Sequence, residues 1–159
     1  MSDSPVRPFA PAGDGYRWTA VELTRYKEEG GAPFRDVTRQ TLFRDPGMRG
    51  ELRYFEVAPG GYSTLERHAH VHAVMVLRGA GAALVGEAVY AVKTCDLVTV
   101  PPSTWHQFRA APDAPLGFLC MVDAERDRPQ LPDAAELLRL REIPSVAAFL
   151  DAARDGGRV

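Results

Sequence analysis

The chain has 159 residues and a net charge of -2, which indicates a single domain and excludes the broad positive field of a nucleic-acid-binding protein. Its hydrophobic and charged fractions, 45% and 25%, are those of a folded globular protein and exclude intrinsic disorder. The chain has no apolar stretch of membrane-spanning length, no signal-peptide core near its start and only two cysteines, so we expect a cytoplasmic protein without disulfides.

The first two predicted segments are a tail and a β-rich domain. Residues 1–15 contain Pro, Gly, Ala and Asp without periodicity, which predicts a flexible N-terminal tail. Across residues 16–130, short apolar runs beginning with WTAVEL alternate with turn residues, a pattern typical of an all-β sandwich or barrel. Strands are expected to reverse or bend at residues 59–61, 79–81, 86–87 and 101–103, where Gly and Pro cluster.

The last segment, residues 131–159, is predicted to be a short helical extension. Asp133 and Glu136 have the spacing of a capping box, and Pro144 marks the start of a second helix that ends near glycines. The second helix carries an apolar stripe, which could pack on the sheet or on a second subunit: Val146, Phe149, Leu150 and Ala153.

The four histidines carry the main functional signal. His68, His70 and His72 lie within LERHAHVHAV, and His106 lies within PPSTWHQF. Imidazole is the commonest metal ligand among side chains. On one straight strand these alternate residues would share a face but stand about 6–7 Å apart, too far apart to surround one ion. The strand must therefore turn within this stretch, and another strand must contribute a ligand.

The histidine segments also resemble a known family. PGGYSTLERHAHVHAVMVLRGAG and CDLVTVPPSTWHQFRA resemble the two motifs of the cupin superfamily and together cover about residues 59–110. The resemblance implies a double-stranded β-helix, or jelly-roll barrel, with extra strands before it and the helical segment after it. It also implies one divalent transition metal per chain, of which iron, manganese, nickel, copper and zinc all remain candidates. The implied ligands are Glu66, His68, His72 and His106.

The match to the cupin motifs has departures. Counting back from Gly79, His72 stands where the family usually has its glutamate, so Glu66 and His72 have exchanged places. Cys95 and Ser103 replace glycines at expected turn positions, and Ala110 replaces an asparagine. An alternative for Glu66 is an exposed residue paired with Arg67, in which case His70 would complete the metal sphere.

Four candidates for substrate binding share strand parity with the proposed ligands, with ordinary core packing as the alternative: Tyr62, Val74, Val76 and Phe108. The resemblance adds His70, which would lie in the bend between two strands as a pocket residue. Cys95 is interpreted as a turn residue and Cys120 as a core residue, rather than as thiolate ligands or nucleophiles. No arginine or lysine is identified as facing inward, so the predicted pocket is apolar.

These features predict a metal-dependent enzyme acting on a small organic substrate, with a slight preference for dioxygenase-type chemistry. Glu66 is the candidate general base. The alternatives are an isomerase or lyase, a metal-containing binding or sensing module without turnover, and a barrel that works without metal. The resemblance implies a homodimer, and neither nucleic acid nor a membrane is expected as a partner.

Overall fold

The computed structural model describes residues 5–11, 15–26 and 33–155. Within these residues, eight strands precede two helices: β1 (Thr24–Arg25), β2 (Arg35–Arg44), β3 (Gly50–Tyr62), β4 (His72–Val85), β5 (Ala88–Lys93), β6 (Leu97–Val100), β7 (His106–Ala110), β8 (Leu116–Asp123), α1 (Ala134–Arg141) and α2 (Pro144–Asp155). The all-β prediction, with a helical segment at the C-terminal end, is confirmed.

The sheet closes on itself through its two longest strands. Both β3 and β4 pair with β7 and with β8, and every pairing is antiparallel. Strands β1 and β2 extend the sheet beyond β3, while β5 and β6 pair with β4. The ring formed by β3, β7, β4 and β8 makes a barrel whose inner face can enclose a site.

The barrel interior is filled by side chains that alternate between buried and exposed positions along the strands. In β4, His72, Val74 and Val76 are buried, whereas the intervening Ala73 and Met75 are exposed. Successive side chains of a strand point to opposite faces, so the buried set points inward. The interior cluster comprises Tyr26, Val37, Phe55, Val57, Val74, Val76, Ala83, Val92, Val100, Phe108, Ala110, Leu116, Phe118, Cys120 and Val122.

The helices pack on the outside of the barrel. The predicted capping box at the start of α1 is present, because Asp133 accepts from the Glu136 backbone and Glu136 accepts from the Asp133 backbone. Three members of the predicted stripe, Val146, Phe149 and Leu150, form a second buried cluster with residues that include Leu65, Leu84 and Leu140. The side chain of Ala153 and the glycines after α2 lie outside the described residues. Neither helix is long and apolar enough to cross a membrane.

Two glycine-rich segments bend strands without ending them. Residues 59–61 lie within β3 and residues 79–81 lie within β4, and each strand has a register shift nearby. Gly79 has φ 73°, and a Cβ atom there would lie 1.8 Å from the Pro115 carbonyl oxygen, so only glycine fits. Of the two outcomes predicted at residues 79–81, reversal or bending, the chain bends, and it passes close to the start of β8.

The N-terminal region also differs from its prediction. The run WTAVEL forms no strand, and the first strand is the two-residue β1. Part of the predicted tail is docked on the barrel: Phe9 packs edge-on against Tyr16 and Trp18, and the Thr19 amide donates to the Pro8 carbonyl at 2.9 Å. Residues 1–4 and 12–14 of the tail lie outside the described residues.

Two turns hold non-glycine residues in the left-handed region. Cys95 has φ 76° and Ser103 has φ 56°. We expect Cys95→Gly and Ser103→Gly each to raise the free energy of unfolding by roughly 0.5–1 kcal/mol, because relief of left-handed strain exceeds the added freedom of the unfolded chain. Urea unfolding checks this, with Cys95→Ala as the matched control that keeps the strain. Lower stability of both glycine variants would contradict the expectation.

Candidate metal centre and substrate cavity

Three histidines meet at one end of the barrel. His72 begins β4, His106 begins β7, and His68 lies in the connection between β3 and β4. One ring nitrogen of each lies within 4.8 Å of the others, and all three residues are buried. This group, His68, His72 and His106, could hold a metal ion.

Local backbone contacts bring His68 to the other two histidines. The chain bends at residues 69–70, which supplies the turn that a straight strand could not. The Ser103 amide donates to the His68 carbonyl at 2.6 Å, and a two-way backbone bridge joins Glu66 to His106. The turn before β7 therefore fixes the loop that carries His68.

The hydrogen bonds of the rings leave the Nε2 atoms facing the centre of the group. His68 Nδ1 lies 2.9 Å from the His70 carbonyl and His106 Nδ1 lies 2.9 Å from the Thr104 carbonyl. A carbonyl can only accept, so each Nδ1 carries the proton and each Nε2 keeps its lone pair. His68 Nε2 and His72 Nε2 are 2.6 Å apart, so these two ring nitrogens meet at one point. This donor set fits a metal ion.

Burial keeps these imidazoles neutral. Desolvation lowers the pKa of His68 to about 4 and that of His72 to about 2, and the neighbouring His106 contributes to both shifts. At neutral pH both rings are therefore unprotonated, the form in which imidazole binds a metal.

Glu66 is buried and lines the cavity beside the histidines. Its Oε1 accepts from the Tyr26 hydroxyl at 3.2 Å, and burial with the nearby carboxylate raises the pKa of Tyr26. The carboxylate is not a member of the three-histidine group. Glu66 is therefore not the exposed residue considered as an alternative, and Arg67 pairs with Glu136 at 3.0 Å.

His70 lies on the rim of the site. Its ring stacks on that of His68 with centroids 3.6 Å apart, and its Nδ1 lies 2.7 Å from Asp127 Oδ1. Asp127 also accepts from the Ala69 amide at 2.8 Å. His68, His70 and Asp127 form a second group with ligand atoms within 4.8 Å of one another. These contacts fasten the segment after β8 across the bend that carries the histidines.

The histidines open into a cavity of about 210 Å³ inside the barrel. This is small compared with the roughly 300–1,000 Å³ of drug-sized ligand pockets, so it suits a small substrate. His70, Val74 and Phe108 line it. The other two substrate-binding candidates do not line the cavity. Val76 packs in the core, and the ring of Tyr62 lies against the Arg109 guanidinium, whose Cζ is 5.3 Å from the Tyr62 ring centroid.

The prediction that no arginine faces inward is wrong, because three arginines join the apolar side chains that line the cavity. They are Arg39 on β2, Arg53 on β3 and Arg126 after β8. Arg53 has the same strand parity as the buried Phe55 and Val57, so the alternation of LRYFEVA carried a signal for its inward position.

Cys120 is a further cavity residue that sequence reasoning missed. It is buried, as predicted for a core residue, but it lines the cavity opposite Val74 and beside Arg53 on the neighbouring strands. Its Sγ lies 3.4 Å from His72 Nδ1. Burial raises the pKa of the Cys120 thiol, and the Arg53 guanidinium opposes that shift. The thiol thus stands at the edge of the histidine group.

Comparisons with known proteins agree with this geometry. A family model described as a cupin domain matches residues 53–122. A Rhodospirillum rubrum protein named 1-methylthio-D-xylulose 5-phosphate methylsulfurylase is 64% identical over 152 residues, covering 95% of this chain and 97% of that protein. The crystal structure of a cupin-2 domain from Rhodospirillum rubrum is 62% identical, with a TM-score of 0.83 over 92% of this chain and 99% of that chain.

A cupin 2 conserved barrel domain protein from Rhodopseudomonas palustris gives a similar result. Its crystal structure is 56% identical, with a TM-score of 0.81 over 89% of this chain and 97% of that chain. These similarities confirm the double-stranded β-helix. They also support a small-molecule site at the cavity that holds the histidines.

Proposed function

Because this chain belongs to the cupin family, we propose that it is a metal-dependent enzyme acting on 1-methylthio-D-xylulose 5-phosphate, the compound in the name of its Rhodospirillum rubrum relative. The observation that carries the proposal is the convergence of a buried thiol, Cys120, with the three-histidine group in one small cavity. Removal of a methylthio group requires a group that accepts it, and a thiol can do so.

The histidines would hold a metal that activates the substrate as an electrophile. In the proposed substrate the methylthio group stands on C1, next to the C2 ketone. A divalent transition metal held by His68, His72 and His106, with Glu66 as the proposed fourth ligand, would act as a Lewis acid toward a substrate oxygen. Val74 and Phe108 supply apolar walls to the same cavity, which limits the access of water.

Cys120 is proposed as the nucleophile. Its sulfur attacks the methylthio sulfur, an S–S bond forms, and the C1–S bond breaks with its electron pair leaving on C1 as an enolate. C1 is reduced, the two sulfurs are oxidised to a mixed disulfide, and the proton lost by the thiol is balanced by one gained at C1. The organic product is a 1-deoxy-ketose phosphate. With a metal held at His72 Nε2, the Nδ1–H of the same ring, 3.4 Å from Cys120 Sγ, would donate to the sulfur and stabilise the thiolate.

A second thiol is needed to restore the enzyme. A small external thiol attacks the mixed disulfide on Cys120, regenerates the free cysteine and carries the methylthio group away as a new disulfide. The exchange conserves atoms and electrons, so no oxidant takes part.

Glu66 is proposed to carry the proton. The carboxylates lining the cavity among the described residues are Glu66 and Asp127, and Asp127 is already bound by the Ala69 amide and His70. Glu66 accepts from Tyr26, and in this proposal its carboxylate would leave the metal during turnover, take a proton from the thiol and return one to C1. The role of general base thus stays with Glu66.

A turnover assay tests the proposed function. We expect the metal-loaded protein, with a small thiol in excess, to convert 1-methylthio-D-xylulose 5-phosphate to the 1-deoxy sugar phosphate without consuming oxygen. Chromatography with mass detection follows both compounds, and an oxygen electrode follows the gas. No conversion with any of the candidate metals would contradict the proposal, and conversion that requires oxygen would restore the dioxygenase prediction.

The other functional predictions have no specific support. Dioxygenase-type chemistry, an isomerase reaction and binding without turnover remain predictions, since none of the relatives compared above is named for them. The identity of the metal also stays open among iron, manganese, nickel, copper and zinc.

The homodimer and the cytoplasmic location likewise remain proposals. Met75, Leu97 and Met121 are exposed on the paired strands β4, β6 and β8, and they give an apolar face on which a second copy could pack. Light scattering would decide between one copy and two.

A further inference from the structure

The arginines of the cavity form a cluster whose positive charge is only partly balanced. Glu51 Oε1 lies 3.4 Å from Arg53 Nε and 3.4 Å from Arg126 Nη1. Among the described residues, no carboxylate lies within ion-pair distance of Arg39. Glu51 therefore pairs with two of the three guanidinium groups that line the cavity, and the third, that of Arg39, has no carboxylate at this distance among the described residues.

The cluster also has unused hydrogen-bond donors. The Nε atom of Arg39 is buried and has no hydrogen-bond partner among the described residues. The Nε atom of Arg53, a residue only 8% exposed, makes no hydrogen bond there and has only the longer 3.4 Å ion-pair contact with Glu51. A buried charged donor that lacks a good hydrogen bond is costly, and a bound anion would satisfy it. The remaining member, Arg126, donates to the Asp123 carbonyl at 2.7 Å, which holds its side chain in place.

The three guanidinium groups are close enough to influence one another. Burial lowers the pKa of Arg126, and the charges of Arg53 and Arg39 lower it further, whereas Glu51 raises it. Like charges gathered in a cavity repel, and a bound anion would relieve that repulsion.

We propose that Arg39, Arg53 and Arg126 form a phosphate site that binds the phosphate monoester of the substrate. Arginine suits this role because its planar fork pairs with two oxygens of a phosphate at once. The inference rests on the proposed function for the rest of the ligand, but the oxyanion site itself depends only on the charges and donors of the cavity.

The positions of the arginines determine the direction in which a phosphorylated ligand lies in the barrel. The arginines come from β2, β3 and the segment after β8, whereas the metal-binding histidines lie at β4, β7 and the loop before β4. A ligand anchored by its phosphate on the first set presents its other end to the second. The site thereby selects phosphorylated substrates over neutral ones.

Calorimetric titration of the metal-loaded protein with inorganic phosphate tests the site. We expect Arg39→Gln to weaken phosphate binding by about tenfold or more, and Arg39→Lys to restore only part of it because the bidentate fork is lost. Arg53→Gln serves as a second variant where its folding is confirmed by circular dichroism. The matched control is Arg44→Gln, since Arg44 contacts Glu51 at 3.8 Å but does not line the cavity.

The outcomes separate this inference from the proposed function. Phosphate binding that depends on Arg39 but not on Arg44 supports the site, even if the methylthio sugar phosphate is not turned over. Equal binding by the wild type and all variants would place the phosphate elsewhere, on the metal for example, and overturn the site. Absence of binding to the wild type at millimolar phosphate would also overturn it, as would turnover whose KM is unchanged in Arg39→Gln.

Discussion

Cys120→Ser is expected to lower turnover of the methylthio sugar phosphate by about a thousandfold or more, because an alcohol cannot form the disulfide on which the reaction depends. The metal content should not change, since Cys120 contacts His72 through Nδ1 and the proposed ligand atom is Nε2. Steady-state kinetics and elemental analysis of the same preparation measure the two effects.

The control for this variant is Cys95→Ser. Cys95 is exposed in the turn between β5 and β6, and it does not line the cavity, so its replacement should leave turnover intact. Normal turnover by Cys120→Ser would remove the thiol from the mechanism. It would leave the histidine site and the arginine cluster to be explained by another reaction.

His68→Ala and His72→Ala are each expected to lose metal and, with it, activity. Each change removes one of three imidazoles and leaves a buried gap. Loss of a residue that only hydrogen-bonds to a metal ligand lowers metal affinity by roughly 10–100-fold, so loss of a ligand itself should lower it by more. Elemental analysis of tag-free protein purified in parallel measures this loss.

His70→Ala is the matched control for the histidine variants, because His70 stacks on His68 and lines the cavity outside the three-histidine group. It should keep its metal. Retention of metal by both His68→Ala and His72→Ala would contradict the proposed centre, and loss of metal in His70→Ala would make His70 a ligand. Thermal melts exclude general unfolding as the cause.

The barrel and its histidines could be predicted because both depend on local pattern. Short alternating runs separated by turn residues indicated the strands, and the spacing of His68, His72 and His106 matched a family motif. Bending at Gly79 could not be separated from a strand break, because the packing of Pro115 against it is a contact between distant segments.

The remaining cavity residues depend on tertiary pairing. Arg53 lies beside Cys120 because β3 pairs with β8 in a register that the sequence of neither segment alone predicts. Arginine is more often found at a surface than inside a barrel, so composition also pointed away from an inward position. Parity along β3 would have found Arg53, but it would not have placed it next to the thiol.

The central claim is that Cys120 accepts the methylthio group inside the barrel, and intact-protein mass spectrometry tests it most directly. Metal-loaded protein is incubated with 1-methylthio-D-xylulose 5-phosphate in the absence of other thiols. The account predicts that the protein gains the mass of one methylthio group in place of one hydrogen, that peptide mapping places it on Cys120, and that added thiol removes it. Formation of the deoxy sugar phosphate with Cys120 unmodified throughout would contradict the account.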